Sequence, residues 1–223
     1  VPIQIPVGVE ADYTGLIDLV KMKAEVYVDE LGTKHDETGI SEDMMDIARQ
    51  WRAALVEAVA ELDDKLMEKY LDGKEPSEDE LRQGIREATI SGAMTPVLCG
   101  TSYRNKGVQP LLDAIVDYLP SPLDIPPVVG THPDKGGEVP CESDDDAPFA
   151  ALAFKVMADP YGKMVFMRVY SGTLSNGSYV YNSTKRKRER VGRILRMHAN
   201  HQEEVEEVRA GDIVCLVGLK DTT

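Results

Sequence analysis

Four groups of residues have the types and spacing to do chemistry. The first is the polar run Thr101, Ser102, Tyr103, Arg104, Asn105, Lys106, Gly107, set between a short apolar stretch (Pro96, Val97, Leu98, Cys99) and an apolar-periodic one beginning at Val108. A polar loop between a strand and a helix is where α/β sheets bind ligands. The second is the basic run Lys185, Arg186, Lys187, Arg188, continued by Arg190, Arg193 and Arg196. Its chemistry is phosphate contact, indifferent to base sequence and weakened by salt; the plain alternative is a solvated hairpin. The third is Glu57, Glu61, Asp64 and Glu68, at three- and four-residue spacing. Stacked on one helical face, such like charges cost about 0.2–0.5 kcal/mol per pair, which solvent or a partner must offset. The fourth is His198 and His201 with Glu203 and Glu204 nearby. Two imidazoles and exposed carboxylates fall short of the roughly four converging ligands of a closed metal site, so this reads as a surface turn and no metal ligand is assigned.

Signatures of nucleotide chemistry are sparse. No G-x-x-x-x-G-K-[ST] phosphate loop occurs anywhere in the sequence. Asp29-Glu-Leu-Gly32 has the form D-x-x-G, but it reads as a turn after a strand. Asn105-Lys106-Gly107-Val108 begins like N-K-x-D, yet Val108 cannot accept the N–H groups of a guanine base. No residue is placed to position water or stabilise a phosphoryl transition state, so no catalytic residue is assigned.

The elements that must carry these groups follow from periodicity. Ile3, Ile5 and Val7 alternate with polar or Pro positions, and residues 21–28 alternate again, which predicts strands within 1–30. Residues 32–39 read as a polar loop. Ser41 is placed to cap one long helix ending near Asp72 and Gly73, with Met44, Ala48, Trp51, Leu55, Ala58, Val59, Leu62, Leu66 and Tyr70 as its apolar stripe. Ser77 and Glu80 form a capping box for a second helix closed by Gly92. Residues 96–99 read as a buried strand. A third helix from Val108 presents Val108, Leu111, Leu112, Ile115 and Leu119 and stops at Pro120 and Pro122. Residues 121–147 read as a linker, stiff in its Pro-rich front half and loose behind. From Pro148 the period becomes two: Ala151, Ala153, Lys155 and Met157 share a face, residues 159–162 and 175–177 turn, and strands recur at 165–170, 179–181, 189–197 and 213–219. Short strands at this spacing predict a small barrel.

Charge divides the chain in the same place. Residues 1–147 hold 13 Lys and Arg against 31 Asp and Glu, a balance of −18; residues 148–223 hold 12 against 8, a balance of +4, which together give the net −14. Two modules with different partners are expected, one repelling nucleic acid and one tolerating it. No apolar run approaches the roughly 20 residues of a membrane span, so no membrane partner is expected. Cys99, Cys141 and Cys215 are scattered and odd in number, which fits free thiols in a reducing cytoplasm. The chain has neither an initiating Met nor a basic-then-apolar leader, and is expected to be an interior or processed piece.

GTSYRNKGVQPLLDAIVDYLPSPLDIPP resembles the end of the GTPase domain of bacterial elongation factor G. VPIQIPVGVEADYTGLIDLVKMKAEVY is similar to the junction of that domain with its inserted subdomain. PFAALAFKVMADPYGKMVFMRVYSGTLSNGSYVYN and RILRMHANHQEEVEEVRAGDIVCLVGLKDTT resemble the family's second domain. The resemblance covers essentially the whole chain. It implies a multi-domain α/β plus all-β fold: a partial P-loop GTPase domain with an α+β insert over 1–120, a linker over 121–147, and a truncated translation-factor, Greek-key-like β-barrel over 148–223. It implies a parent that uses GTP, with Mg, to move tRNA and mRNA on the ribosome, while this fragment alone is inactive and binds no GTP or GDP. Thr101, Ser102, Tyr103 and Arg104 correspond to the fifth guanine-nucleotide motif, with Arg104 where Lys is usual. Lys185, Arg186, Lys187, Arg188 and Arg190 would contact small-subunit rRNA, and Glu57, Glu61, Asp64 and Glu68 the ribosomal stalk protein; no DNA partner is implied. The sequence departs from the family by one residue fewer between Tyr161 and Gly162, which bears on strand register. A peptide-release or ribosomal-protection GTPase and a non-enzymatic RNA-binding barrel are the alternatives.

Overall fold

The computed structural model describes residues 1–159, 162–199 and 201–223. They form two compact units, Val1–Pro120 and Ser121–Thr223.

In the first unit β1 (Gln4–Val7), β2 (Gly15–Asp18), β3 (Lys23–Tyr27) and β4 (His35–Thr38) make an antiparallel sheet in sequential order. Alternation sets its faces. Ile5, Ile17 and Ala24 are register partners on one, Leu16 and Glu25 on the other. Three helices pack on the Ile5 face: α1 (Glu42–Ala60), α2 (Asp64–Leu71) and α3 (Glu78–Ile90). Leu55 and Val59 of α1, Leu66 of α2 and Leu81 and Ile85 of α3 share one core with Ile5 and Ile17. Gly84 makes the approach possible, since a Cβ there would stand 2.5 Å from Val59 Cγ1 and 2.8 Å from Leu66 Cδ1. The capping box of α3 forms as expected: Ser77 Oγ accepts from Glu80 N and Glu80 accepts in return from Ser77 N at 2.9 Å.

Several expectations are corrected. The single long helix is two, because Asp63 accepts from Lys65 N and Leu66 N at 2.8 and 3.2 Å and so caps a new helix. Trp51, Leu62 and Tyr70 are exposed although the stripe included them. Ser41 stands at the N-cap of α1 without a side-chain cap bond. The supposed loop 32–39 contains β4, an edge strand with all four residues exposed and hence no apolar alternation to reveal it. Residues 96–99 are not a buried strand: Val97 makes one parallel bridge to Pro2 and is 50% exposed. α4 (Val108–Tyr118) starts where expected but buries Pro110 and Tyr118, with Ala114 packed on the core. Its anticipated apolar face, Leu111, Leu112, Ile115 and Leu119, remains 43–57% exposed.

The second unit opens with a hairpin, β5 (Val128–Thr131) and β6 (Glu138–Cys141), within the stretch expected to be a linker, stiff in front and loose behind. It continues as β7 (Ala150–Asp159), β8 (Gly162–Ser171), β9 (Leu174–Ser175), β10 (Tyr179–Asn182), β11 (Lys187–Arg190), β12 (Arg193–His198), β13 (His201–Val205), β14 (Glu207–Val208) and β15 (Ile213–Val217). Five of these form a sheet in the order β13-β12-β15-β8-β7, while β10–β11 and β14–β9 pair separately. Val165, Val169, Ile194, Val214 and Leu216 fill the core. The strand expected over 189–197 is divided at Val191 and Gly192 into β11 and β12. A register shift between Ala153 and Lys155 also breaks the expected alternation of β7: Ala151 and Ala153 face the core, and Lys155 pairs across to Phe166. The shortened turn at Tyr161–Gly162 lies partly outside the described residues.

Candidate functional site: a polar loop and a basic ribbon

The loop at 101–107 is built from the backbone outward. Thr101 and Lys106 exchange N–H···O bonds of 2.8 and 3.1 Å, closing a turn around the 3-10 segment Ser102–Arg104. Asn105 and Gly107 take left-handed backbone angles, φ 55° and 81°. A Cβ on Gly107 would lie 2.8 Å from Cys99 O, so the position needs glycine. The loop is held by residues distant in sequence. Tyr27 Oη accepts from Gly107 N at 2.7 Å and donates to Gln109 Oε1 at 3.1 Å. Gly32 O accepts from Asn105 Nδ2 at 3.2 Å and from Gln109 Nε2 at 3.1 Å. Burial pushes the Tyr27 phenol up, against the opposing pull of the Gly107 N–H.

These contacts account for the two partial motifs. Asn105 and Lys106, the start of the incomplete N-K-x-D, hold the loop's shape: Asn105 grips Gly32, and the 9%-exposed Lys106 turns its Nζ toward Tyr13 O at 3.5 Å. Asp29 and Gly32 do likewise. The Asp29 carboxylate accepts from Thr33 Oγ1, Thr33 N and Lys34 N, which holds it below the usual carboxylate range. A Cβ on Gly32 would sit 2.4 Å from Arg104 O, so this glycine lets the loop dock. What stays outward is Ser102, Tyr103 and Arg104, with the Tyr103 ring 99% exposed. Tyr27 and Gln109 escaped the sequence reading, and Gly32 was read only as part of a turn, without its role under the loop.

The basic run lies on the β10–β11 ribbon. Tyr179 faces Arg190, Tyr181 faces Arg188 and Asn182 faces Lys187. Beneath it, Glu189 is 5% exposed; Asn182 Nδ2, Thr222 Oγ1 and Asp221 N donate to its carboxylate at 2.8, 2.7 and 2.7 Å. Burial alone would raise Glu189, but these donors outweigh it and hold the carboxyl down at about 2. Lys187 pairs with Asp221 at 3.1 Å, and the Arg188 guanidinium lies 5.3 Å from the Tyr179 ring centroid. Arg190 Nε donates to Gly177 O at 3.3 Å. Lys185 and Arg186 occupy the exposed connection, with Lys185 N donating to Asn182 Oδ1.

The acidic set is not one face. Glu57 lies in α1 and Glu61 is its C-cap, while Asp64 and Glu68 belong to α2 beyond the break. All four are exposed, as two pairs on two helices. Asp64 sits favourably at a helix N-terminus and Glu61 unfavourably at a C-terminus. His198 and His201 are register partners closing the β12–β13 pair. Among the described residues no group of three or more His, Cys, Asp or Glu could hold a metal ion, and no helix is long and apolar enough to cross a membrane.

The basic ribbon lies within a recognised domain. Residues 162–223 match the family model described as elongation factor Tu domain 2. The second unit thus carries a segment similar to that domain, and the basic ribbon lies within it. A crystal structure of a protein from Thermus thermophilus is similar over 97% of this chain, with 28% identity and a TM-score of 0.72. The chain spans 29% of the length of that protein.

A guanine nucleotide can be tested against the polar loop. Ser102 and Tyr103 are exposed at a turn held by Tyr27 and Gly32, with the Ser102 carbonyl already accepting from Asn105 N at 3.0 Å. The phosphates and Mg would need a phosphate loop, which this sequence does not contain. The residues present therefore offer the phosphates and Mg no cradle and supply no chemistry to the ligand.

Proposed function

We propose that this chain is part of an elongation factor G-type ribosomal translocase, a cytoplasmic GTPase that moves tRNA and mRNA during protein synthesis. The observation that carries the reading is the elongation factor Tu domain 2 match over 162–223, preceded by a polar loop and helix similar to the end of that family's GTPase domain. On this reading 1–120 is the inserted subdomain with the last part of the GTPase domain, 121–147 joins it to the second domain, and 148–223 is most of that domain. The exposed Leu112 and Ile115 of α4 are then a surface for the rest of the GTPase domain. In the intact protein GTP or GDP is held with Mg elsewhere, and Thr101, Ser102, Tyr103 and Arg104 close over the base.

Two ribosome contacts follow. Lys185, Arg186, Lys187, Arg188 and Arg190 meet small-subunit rRNA, as their exposed cationic ribbon supports. Glu57, Glu61, Asp64 and Glu68 meet the stalk protein as two acidic pairs. The chain itself is expected neither to bind nor to hydrolyse GTP. Titration with fluorescent GDP and co-sedimentation with ribosomes test the reading together. Salt-sensitive association with ribosomes and no micromolar GDP binding are expected; micromolar GDP binding, or no association at low salt, overturns it. Reversing the four acidic charges should weaken stalk-protein binding, and unchanged binding removes that assignment.

A further inference from the structure

Register places two exposed tyrosines and two exposed arginines on one side of a single ribbon. Tyr179 and Tyr181 are two apart on β10 and share a face, and their cross-strand partners are Arg190 and Arg188. Tyr179 is 59% and Tyr181 45% exposed. Tyrosines so exposed beside guanidinium groups add nothing to a core. The opposite side of the ribbon is fixed instead: Val180 packs on the core of the second unit, and Glu189 is tied to Asp221 and Thr222. A mobile ribbon would lose ordering entropy on binding, whereas the backbone of this one is anchored from its inner side.

We propose that this face is a stacking platform for unpaired bases of RNA, with Tyr181 as the principal ring and Arg188 and Arg190 at the flanking phosphates. Arg188 already lies over Tyr179, a cation–π contact that extends a flat, positively charged surface next to the open Tyr181. A basic groove interleaved with aromatic rings selects single strands, because a duplex buries its base faces. An acidic peptide would satisfy the guanidinium groups but gives the rings nothing to stack on. The inference rests on the ribosomal reading for its choice of RNA, and it adds that the contact is to unstacked bases, beyond the helix backbone.

The test titrates the full chain with labelled single-stranded oligouridine and with a duplex of the same length, at several salt concentrations, and measures ribosome co-sedimentation in parallel. Preference for the single strand is expected. Tyr181→Ala should weaken that binding by about tenfold and Tyr181→Phe should restore it. Lys185→Ala should weaken single strand and duplex alike and reduce the salt slope by about 0.7. Unfolding midpoints of the variants separate binding loss from misfolding. Equal affinity for duplex, no effect of Tyr181→Ala in a folded variant, or equal displacement by polyglutamate overturns the platform. Ribosome association without single-strand preference overturns this inference alone. Single-strand binding without ribosome association leaves the platform standing and overturns the translocase reading.

Discussion

Each unit buries a glutamate, and the two fare differently. Glu189 on β11 is 5% exposed and accepts from Asn182, Asp221 and Thr222, so its carboxyl is held at about 2. Glu25 on β3 is 8% exposed, yet among the described residues its Oε2 has no hydrogen-bond partner, and the His35 ring nitrogen Nε2 stands 3.9 Å away. Burial pushes Glu25 up; His35 and Lys21 oppose that, while Asp18 and Glu37 add to it. Burial of a carboxylate is thus neither stabilising nor destabilising by itself. Donors decide the sign. The ribbon above Glu189 is anchored by its buried charge, whereas the first sheet tolerates its own.

Removing the well-bonded carboxylate should do most damage. Glu189→Ala strands several donors and is expected to cost about 2 kcal/mol in denaturant unfolding. Because the folded Glu189 is depressed, its contribution is present above about pH 4.5 and is lost as pH falls toward about 2. Glu189→Gln should remove that part of the acid-side loss, and an unchanged profile breaks the comparison. Tyr27→Phe comes next, at about 1–2 kcal/mol, since it leaves Gly107 N without its buried acceptor. Faster amide exchange at Gly107 would report it directly. Glu25→Gln should change stability in the opposite direction, raising it by about 1 kcal/mol at neutral pH. Glu25 is raised, so its contribution is present below the unfolded pKa and disappears as pH climbs through the folded one; the variant should lack that decline. The smallest effect is Glu61→Lys, which places a cation at the C-cap of α1 and should add about 0.3–0.5 kcal/mol.

The same contrast separates what could be read in advance from what could not. The Ser77–Glu80 box was legible because both partners lie within one helical turn. The start of α4 at Val108 was legible because the change from a polar run to apolar periodicity is local. The break between α1 and α2 was hidden by apolar spacing that continues across it, although Asp63 followed by Leu66 was a usable cap signal. The acidic quartet therefore looked like one face when it is two.

Sequence by itself determined the division into an acidic part with helices over 1–147 and a net positive stranded part over 148–223, the local caps and turns, and the polar character of 101–104, because these depend on residue type and short spacing. Tertiary structure alone decided which polar groups are used up and which remain available. Asn105 and Lys106 were consumed by Gly32 and Tyr13, and Glu189 was drawn under the ribbon by Thr222, 33 residues away. Register alone put Tyr179 and Tyr181 opposite Arg190 and Arg188. Cross-strand pairing and burial join residues that no local pattern connects, and so the outward face of the ribbon became visible only once the chain was folded.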